Sequence, residues 1–80
     1  MTPEELLSQR GFEQYEKCAC GGTEQVRYKF ASNPVDRVWL VKKFYMFYLI
    51  QSGRTVRTGY LKDLSTTLTE FGYETSTPAP

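Results

Sequence analysis

Histidine is absent from this sequence, and so are the motifs that mark most enzyme sites. Because histidine is the usual general base near neutral pH, its absence removes the most frequent route to hydrolytic or transfer chemistry. The serines have no nucleophile-elbow context, and the sequence contains neither a phosphate-binding loop nor a dinucleotide fingerprint. We therefore predict that the protein is not an enzyme and has no small-molecule substrate.

Long apolar runs are also missing. The most apolar stretch, residues 38–50, is shorter than the roughly 20 residues that a bilayer requires, and it contains Lys42 and Lys43. The first residues are polar and acidic, without the basic-then-apolar beginning of a secretory signal. We therefore predict no membrane contact and a cytoplasmic location.

Cysteine is scarce, and its two copies, Cys18 and Cys20, stand in a C-x-C-G-G sequence. Two cysteines cannot form a disulfide framework, and a closed zinc site needs four ligands. The glycines predict a tight turn, in which the cysteines pack as small apolar residues. We predict no cofactor. The alternative is a zinc ion shared between two subunits, with Cys18 and Cys20 as its candidate ligands.

Aromatic and β-branched residues are concentrated in residues 38–60, which predict a long β-hairpin. Both faces of the 38–50 run are apolar, as in a strand covered on one side and partly on the other, and Phe44 is expected to be buried. Lys42 and Lys43 would point to opposite faces of a regular strand, which indicates a bulge or a break. Residues 36–50 therefore remain open as one long strand, two strands or a buried helix.

Helix signals flank the predicted sheet. Thr2 and Glu5 form a capping box, and Gly11 marks the end of this first helix. A second helix is predicted by the apolar stripe Leu61, Leu64, Leu68 and Phe71, ending at Gly72.

Residues 12–17 and 23–30 read as a further hairpin with a bulge or an exposed edge in its first arm. The predicted fold is therefore an α+β two-layer sandwich of order α-β-β-β-β-α. It has an antiparallel sheet of three to four strands and both helices on one face. Residues 1–73 form its single domain, and residues 74–80 form a disordered tail.

The net charge of +1 conceals a strong asymmetry, because residues 27–62 contain eight basic residues against Asp36 alone. Cations interleaved with aromatic rings are typical of nucleic-acid-binding surfaces. We therefore predict a binding module whose basic sheet contacts an acidic partner, with nucleic acid the leading candidate. The predicted contact residues are Arg27, Lys29, Arg37, Lys42, Lys43, Arg54, Arg57 and Lys62.

A second interpretation assigns the aromatic residues of the 38–50 strand to a protein interface. In that case Trp39, Tyr45 and Phe47 are exposed and form a homodimer contact or a docking site for another protein.

The C-x-C-G-G turn at residues 18–22 is followed by a second characteristic pattern over residues 49–72. It consists of an aromatic strand, an S-G turn, a V-R-T-G strand and a leucine-spaced helix. With these features the chain resembles short proteins of bacteriophages and bacterial mobile elements that have no assigned activity. The resemblance implies a small accessory or host-interaction protein, in the host cytoplasm if a phage encodes it, and it supplies no site residues.

Overall fold

The computed structural model describes residues 2–19 and 22–73. Within them a five-stranded antiparallel meander, with strands in chain order, is flanked by two short helices, so the predicted α+β class is confirmed. No described helix has both the length and the apolar content that a membrane span requires. The elements are α1 (Pro3–Gln9), β1 (Phe12–Cys18), β2 (Gln25–Phe30), β3 (Asn33–Val41), β4 (Met46–Gln51), β5 (Arg54–Tyr60) and α2 (Leu64–Glu70).

The predicted start and end of α1 are both present. The Thr2 hydroxyl accepts a hydrogen bond from the Glu5 backbone N–H at 3.1 Å, which satisfies one of the free donors of the first turn. After the helix, Gly11 has φ +87°, and its carbonyl accepts a hydrogen bond from Ala31 N–H at 2.9 Å. The chain therefore passes directly from α1 into the edge of the sheet.

The prediction of three to four strands is wrong by one strand, because the 38–50 run divides into β3 and β4. A 3₁₀ turn over Lys42–Phe44 interrupts it, and Tyr45 follows in the left-handed conformation with φ 54°. Val41 and Met46 then pair across the two strands. Residues 36–50 are therefore two strands joined by a four-residue connection.

This break changes which side chains face the helices. Phe47 and Leu49 lie opposite Leu40 and Val38, and all four are fully buried. Phe44 remains in the turn and is 55% exposed, so the expectation that it is buried is wrong. The reason is that each strand has its own alternation, whereas a single continuous strand would have placed Phe44 with Leu40.

The core lies between the helices and one face of the sheet. Leu7 of α1 and Leu64 and Leu68 of α2 are fully buried against that face, which we call the helix face. Beyond α2, the ring of Tyr73 packs edge-on against Phe12 and Phe30 at centroid distances of 5.2 and 5.0 Å. No described helix lies on the opposite face, which we call the helix-free face.

Two sequence predictions fall on undescribed residues: the tail at 74–80 and the position of Cys20. Cys18 ends β1 opposite Gln25 and is disulfide-bonded.

Candidate functional site

The eight predicted contact cations do not lie on one surface. Arg27, Lys29 and Arg37 share the helix-free face, as their pairing with one another and with Trp39 shows. Arg57 lies on the helix face, where it contacts Glu70 at 3.3 Å and packs over the Phe71 ring. A bulge that skips Val56 in the pairing of β4 with β5 produces this placement.

The remaining four cations lie at the two ends of the sheet. Arg54 begins β5 beside the turn at residues 52–53. Lys42 and Lys43 lie in the turn between β3 and β4, and Lys62 lies just after β5. The cations predicted to form a single basic sheet surface are therefore distributed over four places: the helix-free face, the helix face and the two ends of the sheet.

On the helix-free face, guanidinium groups cover aromatic rings. Arg27 lies 4.2 Å from the Trp39 ring centroid and forms an ion pair with Glu16 at 2.9 Å. Arg37 lies 5.1 Å from the Tyr15 ring, and the Tyr15 hydroxyl accepts a hydrogen bond from the Trp39 indole N–H at 3.0 Å. These contacts fix the rings and occupy one ring face each, which leaves less ring surface for a partner.

A groove of about 430 Å³ opens on the helix-free face near the turn between β4 and β5. Arg37, Ser52 and Thr55 are its lining residues with polar side chains, and Ile50 is one of its apolar lining residues. The other residues that line it are Val35, Trp39 and Gly53. The groove thus combines apolar surface with one cation.

The opposite end of the sheet carries the most exposed rings. Phe44, Tyr45 and Tyr60 are 55, 72 and 58% exposed. Lys43 directly precedes Phe44 and Lys62 follows Tyr60 by two residues, and no residue within 2–19 and 22–73 forms an ion pair with either lysine. We call these five residues the aromatic–lysine end.

Backbone geometry brings the two halves of this end together. The Tyr45 carbonyl accepts a hydrogen bond from the Leu61 N–H at 2.7 Å, which ties the 42–45 turn to the end of β5. Tyr45, Tyr60, Leu61 and Lys62 then line one cavity of about 390 Å³. A ring from the 42–45 turn and a ring from the end of β5 are therefore presented side by side.

Lys42, in the turn that carries Phe44 and Tyr45, forms an ion pair with Glu4 of α1. Its Nζ lies 2.6 Å from Glu4 Oε1, joining the turn to α1. The hydrogen bond to Lys42 holds the pKa of Glu4 below its usual value, and the hydrogen bond to Glu4 raises the pKa of Lys42. The predicted contact residue Lys42 is therefore engaged within the protein.

The three predicted interface residues differ in accessibility. Tyr45 is exposed and Trp39 is half-buried, but Phe47 has no exposed surface, so its predicted place in an exposed interface is wrong. Sequence reasoning did not select Phe44 and Tyr60 as interface residues. The adjacent lysines Lys42 and Lys43 indicated the break in the strand that exposes Phe44. For Tyr60, the sequence signal of exposure was its position at the end of a strand.

In the described part of the chain, no three cysteine, aspartate or glutamate side chains come close enough to hold a metal ion. Comparisons of the chain with protein-family models, with curated proteins and with solved structures found no match.

Proposed function

We propose that this protein is a non-enzymatic binding module whose aromatic–lysine end binds single-stranded nucleic acid. The observation that carries the proposal is the presence of three rings, each more than half exposed, beside two lysines without ion pairs in the described chain. Exposed rings stack on unpaired bases, and ammonium groups neutralise phosphates. Bases of a duplex are already stacked on one another, so this combination favours a single strand.

The local charge is moderate. Asp63 follows Lys62 directly, and Glu4 offsets Lys42. Lys43 and Lys62 therefore supply the cations for phosphate contacts, while ring stacking supplies most of the affinity. Stacking does not read base identity, so binding is expected to be tolerant of sequence.

Fluorescence anisotropy with a labelled oligothymidylate of about 12 nucleotides tests the proposal at about 50 and 200 mM salt. Each phosphate contact contributes about 0.7 to the slope of log affinity against log salt for a single strand. Lys43→Gln with Lys62→Gln should lower that slope by about 1.4. Tyr45→Ala or Tyr60→Ala should weaken binding by about 1–3 kcal/mol each.

Arg57→Gln is the matched control, because it removes a cation from the helix face and leaves the aromatic–lysine end intact. It should bind as the parent protein does. No binding of any oligonucleotide at about 50 mM salt, with protein well above micromolar concentration, would refute the proposal.

The same exposed rings support a second candidate function, a protein interface. Aromatic residues are enriched at the centres of such interfaces, and the cavity between Tyr45 and Tyr60 offers a recess for a partner side chain. Self-association would then give a mass that rises with protein concentration. Tyr45→Ala would reduce that association, whereas Lys43→Gln with Lys62→Gln would change it little.

A further inference from the structure

We propose that a bound single strand continues from the aromatic–lysine end across the helix-free face and reaches the groove, where Arg37 contacts a phosphate. This inference rests on the proposed function and extends it by assigning the path of the strand. The groove is then a second contact point for the strand, beside the turn at residues 52–53 that joins β4 to β5.

The sheet register supplies the path. Tyr60 belongs to the aromatic–lysine end and also lies on the helix-free face, where it pairs with Met46. Two residues further along β4, half-buried Tyr48 pairs with Trp39, and two residues beyond that Ile50 pairs with Arg37. At about 3.3 Å per residue, the distance from Met46 to Ile50 is about 13 Å. A stacked strand at about 3.4 Å per nucleotide covers it with about four nucleotides.

The groove has the chemistry for one base and one phosphate. Its volume of about 430 Å³ lies within the usual range for small-ligand sites. The Trp39 N–H is already bonded to Tyr15, so the indole offers the groove apolar surface without a free donor. The Ser52 and Thr55 hydroxyls lie beside it as partners for polar base edges.

Arg37 is an exposed guanidinium that lies over the Tyr15 ring at 5.1 Å and has no carboxylate partner among residues 2–19 and 22–73. Its hydrogen bonds to the Pro34 carbonyl and the Tyr15 hydroxyl are long, at 3.4 and 3.5 Å. Weak bonds of this length leave the guanidinium fork available for a phosphate. Arg27, in contrast, is committed to Glu16 at 2.9 Å and to the Trp39 ring.

Charge favours the groove over β1 and β2. Glu16 on β1 forms an ion pair with Arg27 on β2 at 2.9 Å, and Glu13 lies opposite Lys29, so the charges of these two strands offset one another. Arg37, which lines the groove, has no carboxylate partner in the described part of the chain. A polyanion is therefore attracted toward the groove.

The test compares oligothymidylates of about 2 nucleotides, too short to reach the groove, and about 12 nucleotides on the parent protein and on Arg37→Gln. We expect Arg37→Gln to weaken binding of the longer strand about 3- to 10-fold and to lower its salt slope by about 0.7. The shorter strand, which the aromatic–lysine end alone can hold, should lose less than 2-fold. Thr55→Glu, which places a carboxylate at the groove, should reproduce the loss on the longer strand.

The control is again Arg57→Gln, which changes the same charge on the other face of the sheet and should leave both strands unaffected. Unchanged binding of the longer strand by Arg37→Gln and by Thr55→Glu, while Lys43→Gln with Lys62→Gln weakens it, would overturn the path and leave the proposed function standing. Absence of any oligonucleotide binding would overturn both. Circular dichroism of each variant confirms that it is folded before binding is compared.

Discussion

The Tyr73 hydroxyl donates a hydrogen bond to Asp36 Oδ2 at 2.7 Å and accepts one from Gln51 Nε2 at 2.8 Å. Asp36 and Gln51 are themselves the terminal pair of β3 with β4, so one phenol connects the segment after α2 to these two strands of the sheet. The Tyr73 carbonyl also accepts a hydrogen bond from Arg10 at 2.7 Å. Tyr73 therefore links the end of α2, the end of α1 and two strands.

Tyr73→Phe should lower the free energy of unfolding by about 1–3 kcal/mol, because it leaves two polar side chains without their partner while keeping the ring. Urea denaturation monitored by circular dichroism measures the change. Tyr60→Phe is the matched control, since that tyrosine is exposed and should change stability by less than about 0.5 kcal/mol. Equal effects of the two substitutions would contradict the assigned role of the Tyr73 hydroxyl.

Alkaline pH should weaken the same connection. Burial, together with the hydrogen bond to Asp36, raises the pKa of Tyr73 to about 12 from its ordinary value near 10. Because the folded state holds this proton more tightly than the unfolded state, its contribution is complete below about pH 10 and is lost as pH rises toward 12. Unfolding free energies measured at pH 8 and 11 should therefore differ less for Tyr73→Phe than for the parent protein.

Phe47 and Phe44 provide a direct test of the break between β3 and β4. Phe47 is fully buried, so Phe47→Ala should lower the unfolding free energy by about 3–5 kcal/mol. Phe44 is exposed in the turn, and Phe44→Ala should change it by less than about 1 kcal/mol. Urea denaturation of both variants measures these two changes in the free energy of unfolding. A larger loss for Phe44→Ala would mean that the 38–50 run is one continuous strand.

The turn between β4 and β5 requires backbone conformations that most residues avoid. Ser52 and Gly53 have φ values of 52° and 81°, as in a two-residue hairpin turn in which both central residues have positive φ. A β-carbon at Gly53 would meet no atom within 4 Å, so Gly53→Ala tests backbone strain alone. It should lower the unfolding free energy by about 1–2 kcal/mol.

Gly53→Asn is the informative companion, because asparagine tolerates the left-handed region better than alanine. Thermal unfolding should rank the parent protein first, Gly53→Asn second and Gly53→Ala third. If alanine and asparagine lowered the transition temperature equally, the loss would not come from backbone conformation.

Local signals predicted local structure well. Thr2 caps α1, Gly72 has the positive φ of a helix-ending residue, and the expected bulge in β1 lies between Gln14 and Glu16. Each of these features depends on a few neighbouring residues, so the sequence contains the necessary information. The leucine stripe also packs as expected, with Leu64 and Leu68 buried and Leu61 and Phe71 partly buried against the core.

The distribution of cations was not predictable in the same way. Whether a strand residue faces the helices depends on register and on bulges. The skipped residue Val56 places Arg57 on the helix face, whereas the pairing with Trp39 places Arg27 on the other. The pairing of Lys42 with Glu4 joins residues far apart in sequence. A charge count over residues 27–62 contains none of this information, so it overstated how strongly charge is concentrated on one surface.

The connection at residues 42–45 also separates the residues that build the core from those that the proposed function assigns to binding. Lys43 and Phe44 protrude from it without contributing to the buried core, while the strands on either side provide that core. Substitutions at these two positions should therefore leave the packing of the buried core unchanged. Under the proposed function, residues 43 and 44 are suitable positions for a library of variants with altered binding preference, because their substitution leaves the buried core unchanged.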